Sequence, residues 1–149
     1  MKRFLLLVVM SSLLAVVGGT ARAQVVDPIV ADIPFDFIVR GTTLPAGHYT
    51  VKRFGSNPEV MEVLGDDNHR TPVLFMVESA QVSKEPHRSE LIFNRVGDQY
   101  FLSEVFEAGD RTGVEVPRSR TERRLEKEGV MIHITVPGLN ALGGKSGGS

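Results

Sequence analysis

The chain has 149 residues, with 17 lysines and arginines against 18 aspartates and glutamates, a formal charge of −1, and no cysteine or tryptophan. The missing cysteines exclude thiol catalysis, cysteine-ligated zinc and any disulfide framework, so the fold must rest on packing alone. The acidic excess, which grows once a basic leader is removed, argues against sequence-independent nucleic-acid binding, which depends on neutralising phosphates.

Residues 1–23 read as a cleaved signal peptide. Lys2 and Arg3 give a positive start, and Phe4 to Val17 is apolar apart from Ser11 and Ser12. A run of small residues then ends in Ala21-Arg22-Ala23, which places cleavage after Ala23. The apolar stretch, about 14 residues, is short of the roughly 20 needed to span a bilayer, which disfavours an N-terminal anchor. With no cysteine to carry a lipid, the mature chain is expected to be released to the periplasm or beyond. Processing removes Lys2, Arg3 and Arg22 and leaves 126 residues (149 less 23) with a formal charge of −4. That length suits one domain with a modest core. No later segment is long and apolar enough to cross a membrane as a helix.

Short apolar-alternating runs follow, separated by clusters of Gly, Pro, Asn and Asp. Strands are expected near Ile33–Arg40, His48–Phe54, Val60–Leu64, Pro72–Glu78, Glu90–Val96, Gln99–Glu107 and Val130–Val136. Leu44-Pro45-Ala46-Gly47 suits a type I turn, with Pro fixing φ at its second position. Gly97-Asp98 suits a two-residue type II′ hairpin, which sets Val96 opposite Gln99, Arg95 opposite Tyr100 and Phe93 opposite Leu102. Unbroken alternation then places Leu91, Phe93, Tyr100, Leu102 and Phe106 on one face. Ile92, Val96, Phe101 and Val105 fall on the other. Both faces carry large apolar groups, so this hairpin is expected to be covered on both sides, by a sheet, a helix, a partner or an apolar ligand.

Ser119-Arg120-Thr121-Glu122 matches a capping box, and Gly129 offers a left-handed stop, which predicts a helix near 120–128. Leu125 is its only apolar residue, so the helix belongs on the surface. It carries the densest charge in the chain: Arg118, Arg120, Arg123, Arg124 and Lys127. These residues are the candidate interaction surface, for anionic headgroups, lipopolysaccharide phosphates or an acidic partner. Against this, Glu122, Glu126 and Glu128 interleave with them. Arg118–Glu122 and Arg124–Glu128 have the spacing of helical ion pairs, which favours a solvated, self-neutralised face. Residues 24–137 thus form one β domain, and 138–149, rich in Gly and Ser, a flexible tail.

Catalytic signatures are lacking. His48, His69, His87 and His133 are far apart and have no metal-ligand spacing. No nucleophile elbow is present, and a triad of Ser103 with His48 or His133 rests on no motif. Gly143-Gly144-Lys145-Ser146 lacks the earlier glycine and the strand–helix setting of a phosphate loop. No cofactor or metal is expected. A membrane barrel is disfavoured by short strands, few aromatics and the Gly/Ser ending.

Three segments together, Asp32-Ile33-Pro34-Phe35-Asp36-Phe37, Leu44-Pro45-Ala46-Gly47-His48-Tyr49-Thr50-Val51 and Gly97-Asp98-Gln99-Tyr100-Phe101-Leu102-Ser103, resemble a family of small, signal-bearing bacterial secreted proteins without a known activity. The resemblance covers most of the mature chain up to the helix and implies no site residues.

The sequence therefore predicts an all-β sandwich or partly closed barrel of about seven mostly antiparallel strands with one short surface helix. The expected function is a non-enzymatic exported protein binding an envelope or extracellular partner, a polymer or an apolar ligand. A small hydrolase with a fold-assembled site, or a structural envelope component, are the alternatives.

Overall fold

A computed structural model describes residues 27–66 and 71–141. The expected signal peptide, His69 and the Gly/Ser segment from residue 142 lie outside the described residues. The fold is all-β with one short helix. Eleven strands, β1 (Ile29–Ile33), β2 (Phe37–Val39), β3 (Thr42–Leu44), β4 (Gly47–Arg53), β5 (Val60–Gly65), β6 (Val73–Met76), β7 (Glu78–Gln81), β8 (Ser89–Val96), β9 (Gln99–Phe106), β10 (Thr112–Glu115) and β11 (Met131–Asn140), form one sheet. Helix α1 (Arg120–Glu128) lies between β10 and β11.

The pairings almost close on themselves. From β4 they run through β5 to β6, and the chain bends at Val77 into β7. From there β7 pairs with β10, β10 with β9, and the sheet returns through β8, β11 and β1 to β4. All these ladders are antiparallel; β2 alone runs parallel to its neighbour β9. The result is a small barrel, closed by β7–β10 in its lower half. In its upper half, the end bearing the Gly97-Asp98 turn, the edge strands β3 and β6 are the two ends of the hydrogen-bonded path. Closure removes most sheet edges, which is how a chain without cross-links protects its backbone.

Inward-facing side chains fill the barrel. Ile29, Ile33, Phe37, Tyr49, Val51, Met61, Leu91 and Phe93 are each at most 1% exposed. Two glycines mark how closely the walls approach. A Cβ on Gly138, which faces inward, meets Ile29 Cγ2 at 2.3 Å; one on Gly113 meets both the Phe106 ring and the Val105 carbonyl at 2.4 Å.

The strand expected over Ile33–Arg40 is two strands. Pro34 has no N–H to continue a ladder. The segment Pro34–Asp36 instead crosses the barrel mouth from β1 to β2. There Phe35 stacks on Tyr100 (centroids 4.0 Å apart) and meets Phe93 edge-on, while Phe37 meets Tyr49 edge-on. Asp36 accepts from Ala46 N at 2.9 Å, and the Tyr49 hydroxyl donates to Pro45 O at 2.6 Å. The three segments that carried the family resemblance thus converge as an aromatic plug in one end of the barrel.

The hairpin forms in the expected register, Val96 opposite Gln99 and Phe93 opposite Leu102. Gly97 has φ 61° and Asp98 is not left-handed, the pattern of a type II′ turn. Beyond Leu102 the alternation fails. Phe93 pairs with Leu102 but Ile92 with Glu104, so Ser103 is an extra residue on β9. This bulge exchanges the faces of everything after it. Val105 joins Leu91 in the core, and Phe106 turns outward over Gly113. At the C-terminal end, β11 continues through Asn140, so the expected tail boundary at Gly138 is three residues early: Gly138 pairs with both Ala31 and Ser89 inside the sheet.

Candidate interaction surface

The helix forms where the capping box predicts. Ser119 Oγ accepts from Glu122 N at 3.1 Å and the Glu122 carboxyl accepts from Ser119 N. Its end differs from expectation. Gly129 is extended, with φ −147° and ψ 174°, because the chain passes straight into β11 and no left-handed turn is needed.

Where the helix sits decides its electrostatics. It packs outside the barrel on β8, covering Asn94 and Val96 on the second apolar face of the hairpin. The cover that the hairpin called for is thus internal on both sides: the opposite barrel wall within, and α1 without. Between helix and sheet, the void lined by Ile38, Phe101, Val116 and Glu122 is about 10 Å³, room for one water at most.

Glu122 points into this interface. It is 4% exposed and its Oε1 accepts from Asn94 Nδ2 at 3.0 Å. It is therefore not the solvent-side partner of Arg118 that the spacing suggested. Arg118 pairs instead with the half-buried Glu126, at 3.2 Å. Arg123 donates to Arg118 O at 2.6 Å while remaining exposed. With Glu122 inside and Glu126 engaged, the solvent face holds Arg120, Arg123, Arg124 and Lys127 against Glu128 alone. Of the ion pairs expected from the spacing, Arg118–Glu122 is replaced: Glu122 is buried against Asn94 and Glu126 takes Arg118 instead.

Apolar side chains are exposed just beyond the C-terminal end of the helix. Val130, directly after Gly129, is 81% exposed, and Ile132 is 49% exposed. Met131 pairs with Val96 and Ile132 with Arg95, which places both exposed residues at the barrel rim beside the hairpin turn.

The other sequence candidates do not assemble. His48 lies opposite Asp32 across β4 and β1, with Nδ1 3.6 Å from Oδ1, and both side chains are well exposed. His133 lies opposite Asn94 on β8. That leaves it two ladders, about 10 Å, from β9 and the buried Ser103. Among the described residues no three His, Asp or Glu side chains gather to hold a metal.

Two carboxyl groups outside the helix have altered acidity. Glu107, at the lower end of the barrel, titrates at about 7; burial is the main cause, followed by the nearby charges of Asp27 and Asp110, with a backbone bond from Asp27 and the Arg53 guanidinium opposing. Glu104 is raised by burial and by Glu115, its cross-strand neighbour.

Compared with known proteins, the chain matches no protein-family model, no curated protein and no solved structure.

Proposed function

We propose that this protein is an exported, non-enzymatic binding protein of the cell envelope or its surroundings, and that it engages a polyanionic partner through the outer face of α1. The leader-like residues 1–23 support export. The observation that carries the binding surface is the inward turn of Glu122, which leaves four cations facing solvent against one anion. The filled barrel supports binding at the surface over an apolar ligand held inside. Such an interaction weakens steeply with salt, because exposed charges are screened over about 8–10 Å.

The test uses dextran sulfate as a soluble polyanion at low and physiological salt. Arg120→Gln, Arg124→Gln and Lys127→Gln together remove three charges without touching the Arg118–Glu126 pair or the Glu122 bonds. Binding that drops with salt and falls at least tenfold in the triple variant supports the reading. Unchanged binding in that variant refutes it.

One observation favours a second reading, a self-associating structural component. Strand β6 is an edge with no charged residue, and it leaves Leu74 48% and Met76 60% exposed. Such an edge is a template for pairing with another chain. Sedimentation at several concentrations separates the readings: a monomer throughout leaves only the first.

A further inference from the structure

We infer that α1 and the Val130–Ile132 rim seat the protein on an anionic lipid bilayer, the cations on headgroup phosphates and the two apolar side chains in the acyl boundary. The inference rests on the polyanion reading above and names its partner.

Charge complementarity supplies the first argument. Arg120, Arg123, Arg124 and Lys127 lie on one short helix and all face solvent. Their long stems let the charged ends reach phosphates while the apolar portions lie along the interface. The second argument is what the same edge exposes. Val130 is the most exposed large apolar residue of the described chain, and Ile132 is the next such residue along β11. A soluble polyanion gains nothing from them. A bilayer does, because its interface accepts apolar groups beneath a layer of charge. The two features meet at one rim, where Ile132, opposite Arg95, shares the inward alternation of Ile134 and Val136 and stands at the barrel mouth while α1 lies outside. Gly129 lies against Val96 at the upper end of β8, so the last helical turn, with Lys127, ends at the rim that bears Val130. The acids within this footprint are Glu128 and Asp98, and Asp98 has Arg95 Nη2 3.9 Å away.

The chain has no cysteine, so Val130→Cys supplies a single thiol for an environment-sensitive fluorophore. The purified protein, its N-terminus identified by mass spectrometry, is mixed with vesicles of phosphatidylcholine alone or of phosphatidylcholine and phosphatidylglycerol in equal parts. The expected result is a blue shift and cosedimentation with the anionic vesicles only. Affinity falls about a hundredfold in the Arg120→Gln, Arg124→Gln, Lys127→Gln variant, at about fivefold for each cation lost near the surface. The Val130→Ser, Ile132→Thr variant alters exposed positions, so its fold is preserved. It should lose about tenfold on anionic vesicles while holding dextran sulfate as tightly as the parent. Equal vesicle binding by this variant overturns the apolar part of the inference. Binding to dextran sulfate but not to anionic vesicles overturns the lipid surface and leaves the polyanion reading standing. Failure to bind either removes both.

Discussion

The Asn94 amide donates to the Glu122 carboxyl across 3.0 Å, and both residues are buried, at 0% and 4% exposure. The other carboxyl oxygen of Glu122 accepts from the Ser119 backbone, so one side chain caps the helix and ties it to the sheet. A buried carboxyl is tolerated because its oxygens have partners and because it sits at the positive end of the helix.

The first prediction follows from that tie. Glu122→Ala removes the cap and leaves the buried Asn94 amide unsatisfied, a loss of about 2–3 kcal/mol. Ser119→Ala costs about 1 kcal/mol, since only the cap is lost. Asn94→Ala and Glu122→Ala combined should cost clearly less than their sum, because the two share one interaction. Urea unfolding of the parent, the three single variants and the double variant measures this, and strict additivity would show the contact to be energetically idle.

Close approach in the barrel wall gives the second. Gly113→Ala places a methyl against the Val105 carbonyl as well as the Phe106 ring, so the strands themselves must part. The expected loss is about 1–3 kcal/mol, the usual cost of overpacking. At Gly138 the obstruction is the Ile29 side chain alone within 3 Å. Ile29→Ala should therefore relieve part of the cost of Gly138→Ala, so the double variant is more stable than the summed losses imply. Thermal unfolding decides the matter.

Acidity supplies the third. Glu107 holds its proton to about 7 in the folded protein, against an ordinary value of 4.5. Across that window the native state keeps a proton that the unfolded chain has released, so stability falls as pH rises. Glu107→Gln removes the titration. Between about pH 5 and pH 8 the parent should lose roughly 1 kcal/mol more than the variant, a figure reduced from the full shift because the group is only half-buried. Parallel pH profiles would place the group in ordinary solvent.

The edge strand supplies the fourth. Leu74→Lys or Met76→Lys puts a charge on an exposed edge position, which discourages pairing with another chain. Stability should change by no more than about 0.5 kcal/mol, as is usual for exposed sites. Light scattering after heating should show less aggregation in either variant, and no change would acquit β6 as an association site.

What the sequence determined by itself were the features set by neighbours along the chain. The strands over β4, β5, β8 and β9 follow from alternation, the II′ turn from Gly97-Asp98, and the helix start from Ser119 and Glu122. Each depends on contacts only a few residues apart. Tertiary structure decided what alternation cannot carry across a defect. Ser103 is one extra residue, and it sends Val105 inward and Phe106 outward with no trace in composition. Strands β7 and β10 are four residues long, too short for a periodic signal, and they exist because each offers the other hydrogen bonds from a distant part of the chain. The charge of the helix was decided in the same way. Spacing places Glu122 beside Arg118, but the direction in which that carboxyl points depends on Asn94, twenty-eight residues earlier, and on which flank of the helix the barrel covers. Local order is written in nearest neighbours, whereas the sign of a surface is fixed only when packing chooses which charges to bury.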